Sequence, residues 1–146
     1  MTATEETLKM ARIAQIDYAS ATDYATAAIK GFNLAHEDLA HINDVYSNLA
    51  AKTAADTEEI SIAMSKVASI AHSTGMELET TAAFLTQIIA TTREAPETAG
   101  TALKTVIARF SEVKELISTG NLTGTDEEGE EINVNKIEAA LKTAGV

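Results

Sequence analysis

The sequence predicts an all-α fold: an antiparallel bundle of five to six helices, with a small acidic turn or hairpin before the last helix. The first observation is periodicity, because four segments carry apolar residues at alternating steps of three and four, the spacing of one helix face. The second is that the 146-residue chain contains a single proline, Pro96, which leaves room for long helices. The third is that the connections are short, which favours antiparallel neighbours.

The N-terminal part of the chain has the least regular patterns. Residues 1–19 could form a helix or an extension, but their apolar stripe is weak. Ser20, with Asp23 three residues later, resembles a capping box and predicts a short helix that ends near Gly31. A clearer helix is predicted over residues 37–55, where the stripe consists of Leu39, Ile42, Tyr46 and Leu49.

Two further stripes predict a pair of helices. The first begins after Thr57 and the second ends near Arg93. Between them lies Gly75, which suits the position just after a helix because glycine tolerates a positive φ. The apolar members are Ile60, Met64, Val67 and Ala71 in the first stripe, and Leu78, Ala82, Leu85 and Ile89 in the second.

The longest predicted helix runs from near Pro96 to about Ser118, with Gly120 as its stop. Proline suits the first turn because its missing N–H needs no partner there. The apolar stripe advances in steps of 4, 3, 4, 3 and 4 through Ala99, Leu103, Val106, Phe110, Val113 and Ile117. The residues expected to pack against other helices are Gly100, Leu103, Val106 and Phe110.

Gly100 is unusual, because glycine inside a helix costs about 1 kcal/mol relative to alanine. We interpret it as a point of close helix–helix approach. The flank away from the stripe carries Lys104, Thr105 and Arg109. A solvated face with an Arg109–Glu112 pair is the favoured interpretation of this flank, and a partner surface is the alternative.

The C-terminal part differs in composition. Residues 126–131 contain five acids, which is typical of a solvated turn, and Asn135 or a neighbour could cap a last helix through Leu141. The predicted organisation is therefore an N-terminal helix or extension (1–19), a bundle core (20–120) and an acidic turn with a C-terminal helix (121–146).

Composition excludes several classes of function. The net charge of −11 disfavours nucleic acid or an anionic membrane surface as a partner. Cysteine is absent, so disulfides and thiolate metal sites are excluded. No apolar run approaches the ~18 residues of a membrane span, and the N-terminus lacks the pattern of a signal peptide. With 27 alanines and 20 threonines, the core should be thin and elongated.

No catalytic, cofactor or metal site is predicted. Leu103 stands before Lys104 where a P-loop requires glycine. His36 and His41 are five residues apart and cannot share a helix face, and His72 lies in another segment, so all three are interpreted as isolated surface residues. The acidic run does not match the register of a calcium loop, although a weak, unspecific cation site there stays open. No serine has the setting of a nucleophile.

The segment REAPETAGTALKTVIAR resembles a core segment of bacteriophage tail tape-measure proteins, with the pattern R-E-x-x-E-x-x-G-T-A-L-K-T-x-x-A-R. The preceding helices are similar to the pair that this family joins at an A-x-x-x-G-x-x-x-E turn, here AHSTGMELE. ATDYATAAIKGFNL and EEINVNKIEAALKTAGV resemble the flanking parts, so the resemblance covers roughly residues 20–146.

The resemblance implies a structural, non-enzymatic role in the tail of a phage or prophage, in tail assembly and tail-length determination. It implies other tail proteins as partners (tail tube, assembly chaperones and other copies of itself), with the host cytoplasm as the site of assembly. Family members are far longer, so the chain is expected to be a fragment with assembly contacts rather than the ruler itself. The alternative is a bacterial α-helical interaction module, an adaptor or sensory bundle.

Overall fold

Six α-helices and one small hairpin make up the part of the chain that the computed structural model describes, residues 2–119, 123–125 and 131–133. The all-α prediction, with its hairpin before the end of the chain, is confirmed. A 3₁₀ turn, His36–Asp38, precedes α3. The elements are α1 Ala3–Ala14, α2 Tyr18–Gly31, α3 Leu39–Ala50, α4 Thr57–Ser73, α5 Leu78–Thr92, α6 Pro96–Thr119, β1 Thr123–Thr125 and β2 Glu131–Asn133.

The strands β1 and β2 pair in antiparallel register, with Thr123 opposite Asn133. Of the predicted solvated turn at residues 126–131, only Glu131 is described, and it is the first residue of β2. The predicted helix stop at Gly120 and the predicted helix from Asn135 to Leu141 lie outside the described residues. The chain forms two compact units, Met1–Ile107 and Ala108–Val146.

Contacts at both ends of α3 and α5 fix the directions of the helices in the first unit. Near their starts, His41 of α3 meets Glu79 of α5. Near their ends, Arg93 donates to the carbonyl of Ala54 at 3.0 Å. The two helices therefore run in the same direction, and α4, which connects the end of α3 to the start of α5, runs antiparallel to both.

Helix α4 carries a large share of the buried surface of the first unit. Its core-facing side includes all four residues of the predicted stripe, together with Ala63 and Ala68. Small side chains let neighbouring backbones come close. A Cβ on Gly31, at the end of α2, would clash with the Cβ of Ala68 and lie 3.1 Å from the backbone nitrogen of Ser69.

The N-terminal boundaries need correction. The cap of α2 is Asp17 rather than Ser20, because the Asp17 carboxylate accepts hydrogen bonds from the Ser20 amide (3.0 Å) and hydroxyl (2.6 Å). The Ser20 hydroxyl lowers the pKa of Asp17 by stabilising its charged form. Residues 1–19 contain a full helix, α1, whose N-cap Thr2 forms a capping box with Glu5.

Helix α3 ends at Ala50, earlier than predicted. Asp56 caps α4 in an extended conformation (φ −94°, ψ 172°) and forms a capping box with Glu59. An extended cap cannot continue a helix, so the chain leaves the helical path before it. At the other end of α4, Gly75 has φ +83°, as predicted for the residue after a helix.

Candidate interaction surfaces

Helix α6 meets α4 at Gly100. This residue is buried, and a Cβ on it would clash with the carbonyl oxygen of Ala63 and lie 3.0 Å from the Ala63 Cα. On the same side of α6, Ala99, Leu103 and Ile107 are also buried. The first three turns of α6 therefore pack through a narrow face that includes Gly100 and Leu103.

Val106 and Phe110 do not pack in the core, so this part of the predicted packing set is wrong. Their exposed fractions are 49% and 72%. Val106 lies on the flank of the buried face, which is centred between Ala99 and Gly100. Phe110 comes after Ile107, the last residue of the first unit, and none of residues 108–115 is buried. Helical periodicity identified a face, but it could not show where along the helix the core ends.

Val106, Phe110 and Val113 together form an exposed apolar stripe on α6, which we call the Phe110 face. Val113 is 43% exposed. At ~100° per residue, Arg109 and Lys114 fall roughly 70° to either side of this stripe. Cations therefore flank the apolar residues on both sides.

The flank predicted as solvated is exposed at Lys104, Thr105 and Arg109. The expected ion pair is present, with Nη1 of Arg109 2.9 Å from Oε2 of Glu112. The Thr105 hydroxyl donates to the Thr101 carbonyl at 2.9 Å. The role of these three residues as a partner surface stays a prediction.

A groove of about 610 Å³ lies where α2, α3, α4 and α5 meet, and we call it the histidine groove. Its apolar residues are Phe32, Leu34, Met76 and Leu78, of which Phe32 and Leu78 are buried. Gly75 also lines the groove, and its polar residues are His41, His72, Glu77 and Glu79. The His72 ring stands edge-on to Phe32, with centroids 6.2 Å apart.

The rim of the histidine groove carries two carboxylates and no lysine or arginine. Nε2 of His41 lies 2.5 Å from Oε1 of Glu79. This hydrogen bond lowers the pKa of Glu79, because it stabilises the ionised carboxylate. Glu77 stands at the N-cap position of α5, but its side chain makes no capping hydrogen bond.

Sequence reasoning missed the histidine groove. His41 and His72 were interpreted as isolated surface residues, yet they line one groove from two different helices. Only the turn around Gly75 could be predicted from the local sequence. The other residues of the groove come together because the ends of α2, α3, α4 and α5 meet, and local sequence does not determine that. Among the residues that the structure describes, no group of three or more His, Cys, Asp or Glu side chains could hold a metal ion.

A buried polar link joins α1 to α3 and was also missed. The Asn43 amide donates to the backbone carbonyl of Glu6 (2.9 Å) and to its Oε2 (3.0 Å). Lys9 lies 3.6 Å from the same Oε2 and 3.7 Å from Asp44. Glu6 is only 3% exposed. A glutamate in the core-facing stripe of α1 explains why the apolar pattern there looked weak.

Within the described ranges, no helix is both long enough and apolar enough to cross a membrane.

Comparison with known proteins adds a family and one relative. The family described as phage-related minor tail protein matches residues 1–145. A tape measure protein of Pneumococcus phage Dp-1 is 31% identical over 141 residues, which cover 94% of this chain but 12% of the relative. No solved structure matches the chain significantly.

These comparisons confirm the resemblance predicted from the segment around Gly100 and Lys104. The chain spans about one eighth of the length of the tape measure protein that it matches. Within this chain, the family match extends over residues 1–145 and therefore includes α1. The chain therefore belongs to the phage-related minor tail protein family.

Proposed function

We propose that this chain is a structural module of a phage or prophage tail: one folded segment of a tape-measure protein that takes part in tail assembly. Tail-length determination then belongs to the whole protein that contains the segment. The observation that carries the proposal is the 31% identity to a tape measure protein across 94% of the chain.

The fold supports a role in contacts rather than in measuring length. A continuous helix advances ~1.5 Å per residue, so a ruler gains most length from helices that do not fold back. In the first unit the helices do fold back, because α3 and α5 run in the same direction and α4 returns the chain from the end of one to the start of the other. This segment thus adds surface for binding more than it adds length.

A non-enzymatic role agrees with the chemistry of the described surfaces. In the histidine groove, His41 is hydrogen-bonded to Glu79, and the His72 ring packs edge-on against Phe32. The partners we propose are tail-tube subunits, assembly chaperones and other copies of the chain, met first in the host cytoplasm and then in the tail. Neither the family match nor the relative favours the alternative of a bacterial adaptor or sensory bundle.

Mass spectrometry of purified particles tests this proposal. In the phage or induced prophage that encodes the chain, peptides from residues 1–119 should be found in isolated tails at a constant ratio to tail-tube protein. Heads purified apart from tails are the control and should lack them. Absence of these peptides from intact tails would overturn the proposal.

A further inference from the structure

We propose that the histidine groove is a docking site for a basic, amphipathic helical segment of another protein. The apolar side chains of that segment fill the groove, and a lysine or arginine beside them meets its acidic rim. The inference rests on the proposed function only for the source of the segment, which is then another tail protein. The site lies within the first unit, because its lining residues all come from residues 32–41 and 72–79.

The groove has an apolar floor that solvent can reach. Phe32 and Leu78 are buried, whereas Leu34 and Met76 are only partly covered. The volume of about 610 Å³ falls within the ~300–1,000 Å³ of sites that enclose most of a compact ligand. Methionine adapts its shape to a partner and makes favourable contacts with aromatic rings. The groove therefore suits apolar side chains better than a small polar ligand.

The backbone around the groove determines the form of the partner. The lining residues come from the ends of α2, α3, α4 and α5 and from their connections, so they offer no strand edge to an extended peptide. Side chains must therefore carry the recognition. An amphipathic helix meets this requirement, because it can place apolar residues i and i+4 side by side in a groove.

The two stretches that form the groove are acidic. They contain no lysine or arginine, and they contain four carboxylates: Glu37, Asp38, Glu77 and Glu79. The nearest cation along the chain is Lys30, which is exposed and is not among the lining residues. The net charge of the chain, −11, has the same sign. The field at the groove therefore favours a cation over an anion.

Glu77 is the carboxylate that the cation of the partner meets. Its side chain is exposed, lines the groove, and makes no hydrogen bond or ion pair with the described part of the chain. Glu79, in contrast, is already hydrogen-bonded to His41. Because Glu77 stands between Met76 and Leu78, a free carboxylate lies directly beside the apolar floor. Such an arrangement gives a bound partner both orientation and specificity.

Fluorescence anisotropy with a synthetic peptide tests the proposal. The probe is a labelled amphipathic helix with leucine and phenylalanine at positions i and i+4 and lysines beside them. It should bind the 146-residue chain saturably, with a dissociation constant tighter than about 1 mM, and added salt should weaken the binding. Matched peptides carry glutamates in place of the lysines, or serines in place of the two apolar residues. Each should bind about tenfold more weakly or worse.

Variants of the groove locate the binding site. Glu77→Lys and Met76→Ser should each weaken binding of the lysine peptide about tenfold. Neither residue is buried, so circular dichroism should show unchanged folding. Glu94→Lys is the control for net charge, since Glu94 is exposed and follows the opposite end of α5. Leu8→Ser on α1 is the control for an exposed apolar residue, and both controls should bind within about twofold of the wild type.

A charge exchange tests the pairing between the rim and the peptide. Glu77→Lys should bind the glutamate peptide more tightly than the wild-type chain does. Glu94→Lys changes the net charge by the same amount and should not improve that binding. The exchange therefore separates a contact at Glu77 from general attraction between a basic peptide and an acidic chain.

Three results would overturn the proposal. The first is a lysine peptide that does not bind at concentrations up to about 1 mM. The second is equal binding of the lysine and glutamate peptides, which would indicate a purely apolar occupant. The third is equal weakening by Glu77→Lys and Glu94→Lys, which would indicate binding outside the groove. Specific binding in the groove by a chain that is absent from intact tails would instead refute the proposed function alone.

Discussion

Gly100 of α6 lies directly against the carbonyl group of Ala63 in α4, so that a side chain on Gly100 would have to displace the α4 backbone. Backbone atoms cannot rotate aside as the end of a flexible side chain can. The intrinsic cost of glycine in a helix is about 1 kcal/mol. At this position the close approach of α6 to α4 offsets that cost.

Gly100→Ala should therefore destabilise the protein despite the better helix propensity of alanine. We expect a net loss on the order of 1 kcal/mol in the free energy of unfolding, and a loss of about 1–3 kcal/mol for Gly100→Leu. Urea denaturation measures both. Thr101→Ala is the matched control, because Thr101 is the exposed neighbour of Gly100, and it should be neutral or slightly stabilising. If Gly100→Ala stabilised the protein, α6 and α4 would not be tightly packed at this position.

Asn43→Ala tests the buried link between α1 and α3. It removes the amide that donates to Oε2 of Glu6 and leaves a buried carboxylate with fewer partners. We expect a loss of about 2 kcal/mol in the free energy of unfolding.

The control for that substitution is Asn48→Ala on the same helix. The Asn48 amide donates to the Asp44 carbonyl at 2.8 Å, but it is exposed to solvent. Its loss should cost at most about 0.5 kcal/mol. Equal losses for Asn43→Ala and Asn48→Ala would show that the buried link adds nothing to stability.

The His41–Glu79 pair predicts a pH effect. Because the folded pKa of Glu79 is lowered, the pair contributes stability above the unfolded pKa and loses it as the pH falls through the folded pKa. His41→Ala should move the pKa of Glu79 up toward its ordinary value. Overall stability should change little, since both side chains are more than half exposed.

Carboxyl-carbon NMR titration of Glu79 measures this shift. His36→Ala, which removes an exposed histidine that does not pair with Glu79, should leave the titration as it is in the wild type. If His41→Ala also leaves it unchanged, the hydrogen bond is not what holds the pKa down.

Sequence periodicity was a reliable guide to α4, α5 and the start of α6. In α4 the predicted stripe from Ile60 to Ala71 is the buried face, because apolar side chains alone supply it. In α1 the buried face includes Glu6 and Thr7, so the search for an apolar stripe detected only a weak one there. A pattern of apolar residues cannot detect a helix that is held partly by a buried polar link.

The surfaces were harder to predict for a different reason. The histidine groove depends on His41 and His72 meeting across helices, and no local pattern encodes that meeting. The Phe110 face was predicted as core because its spacing is helical. Phe110 and Val113 are exposed because burial on α6 ends at Ile107, and Val106 is exposed because it lies on the flank of the buried face. Both surfaces depend on tertiary packing, which cannot be predicted from the spacing of residues along one helix.

The flank of α6 with Thr105 and Arg109 offers a test of the predicted partner surface. Thr105→Ala with Arg109→Ala should leave the thermal stability of the chain nearly unchanged, because both residues are exposed. If the flank contacts other tail proteins, the same double substitution in the complete gene should reduce the number of intact tails seen by electron microscopy. Normal tails at normal yield would indicate that these residues form a solvated face and do not contact a partner.

The most direct test of the central claim is the yield and length of tails from a phage whose complete gene carries Gly100→Leu, measured by negative-stain electron microscopy. The substitution disturbs this module and leaves the number of residues in the protein unchanged. We expect fewer tails than in a Thr101→Ala control, with the tails that do form keeping the wild-type length. A normal yield from a gene whose isolated module is measurably destabilised would contradict a role for this module in tail assembly.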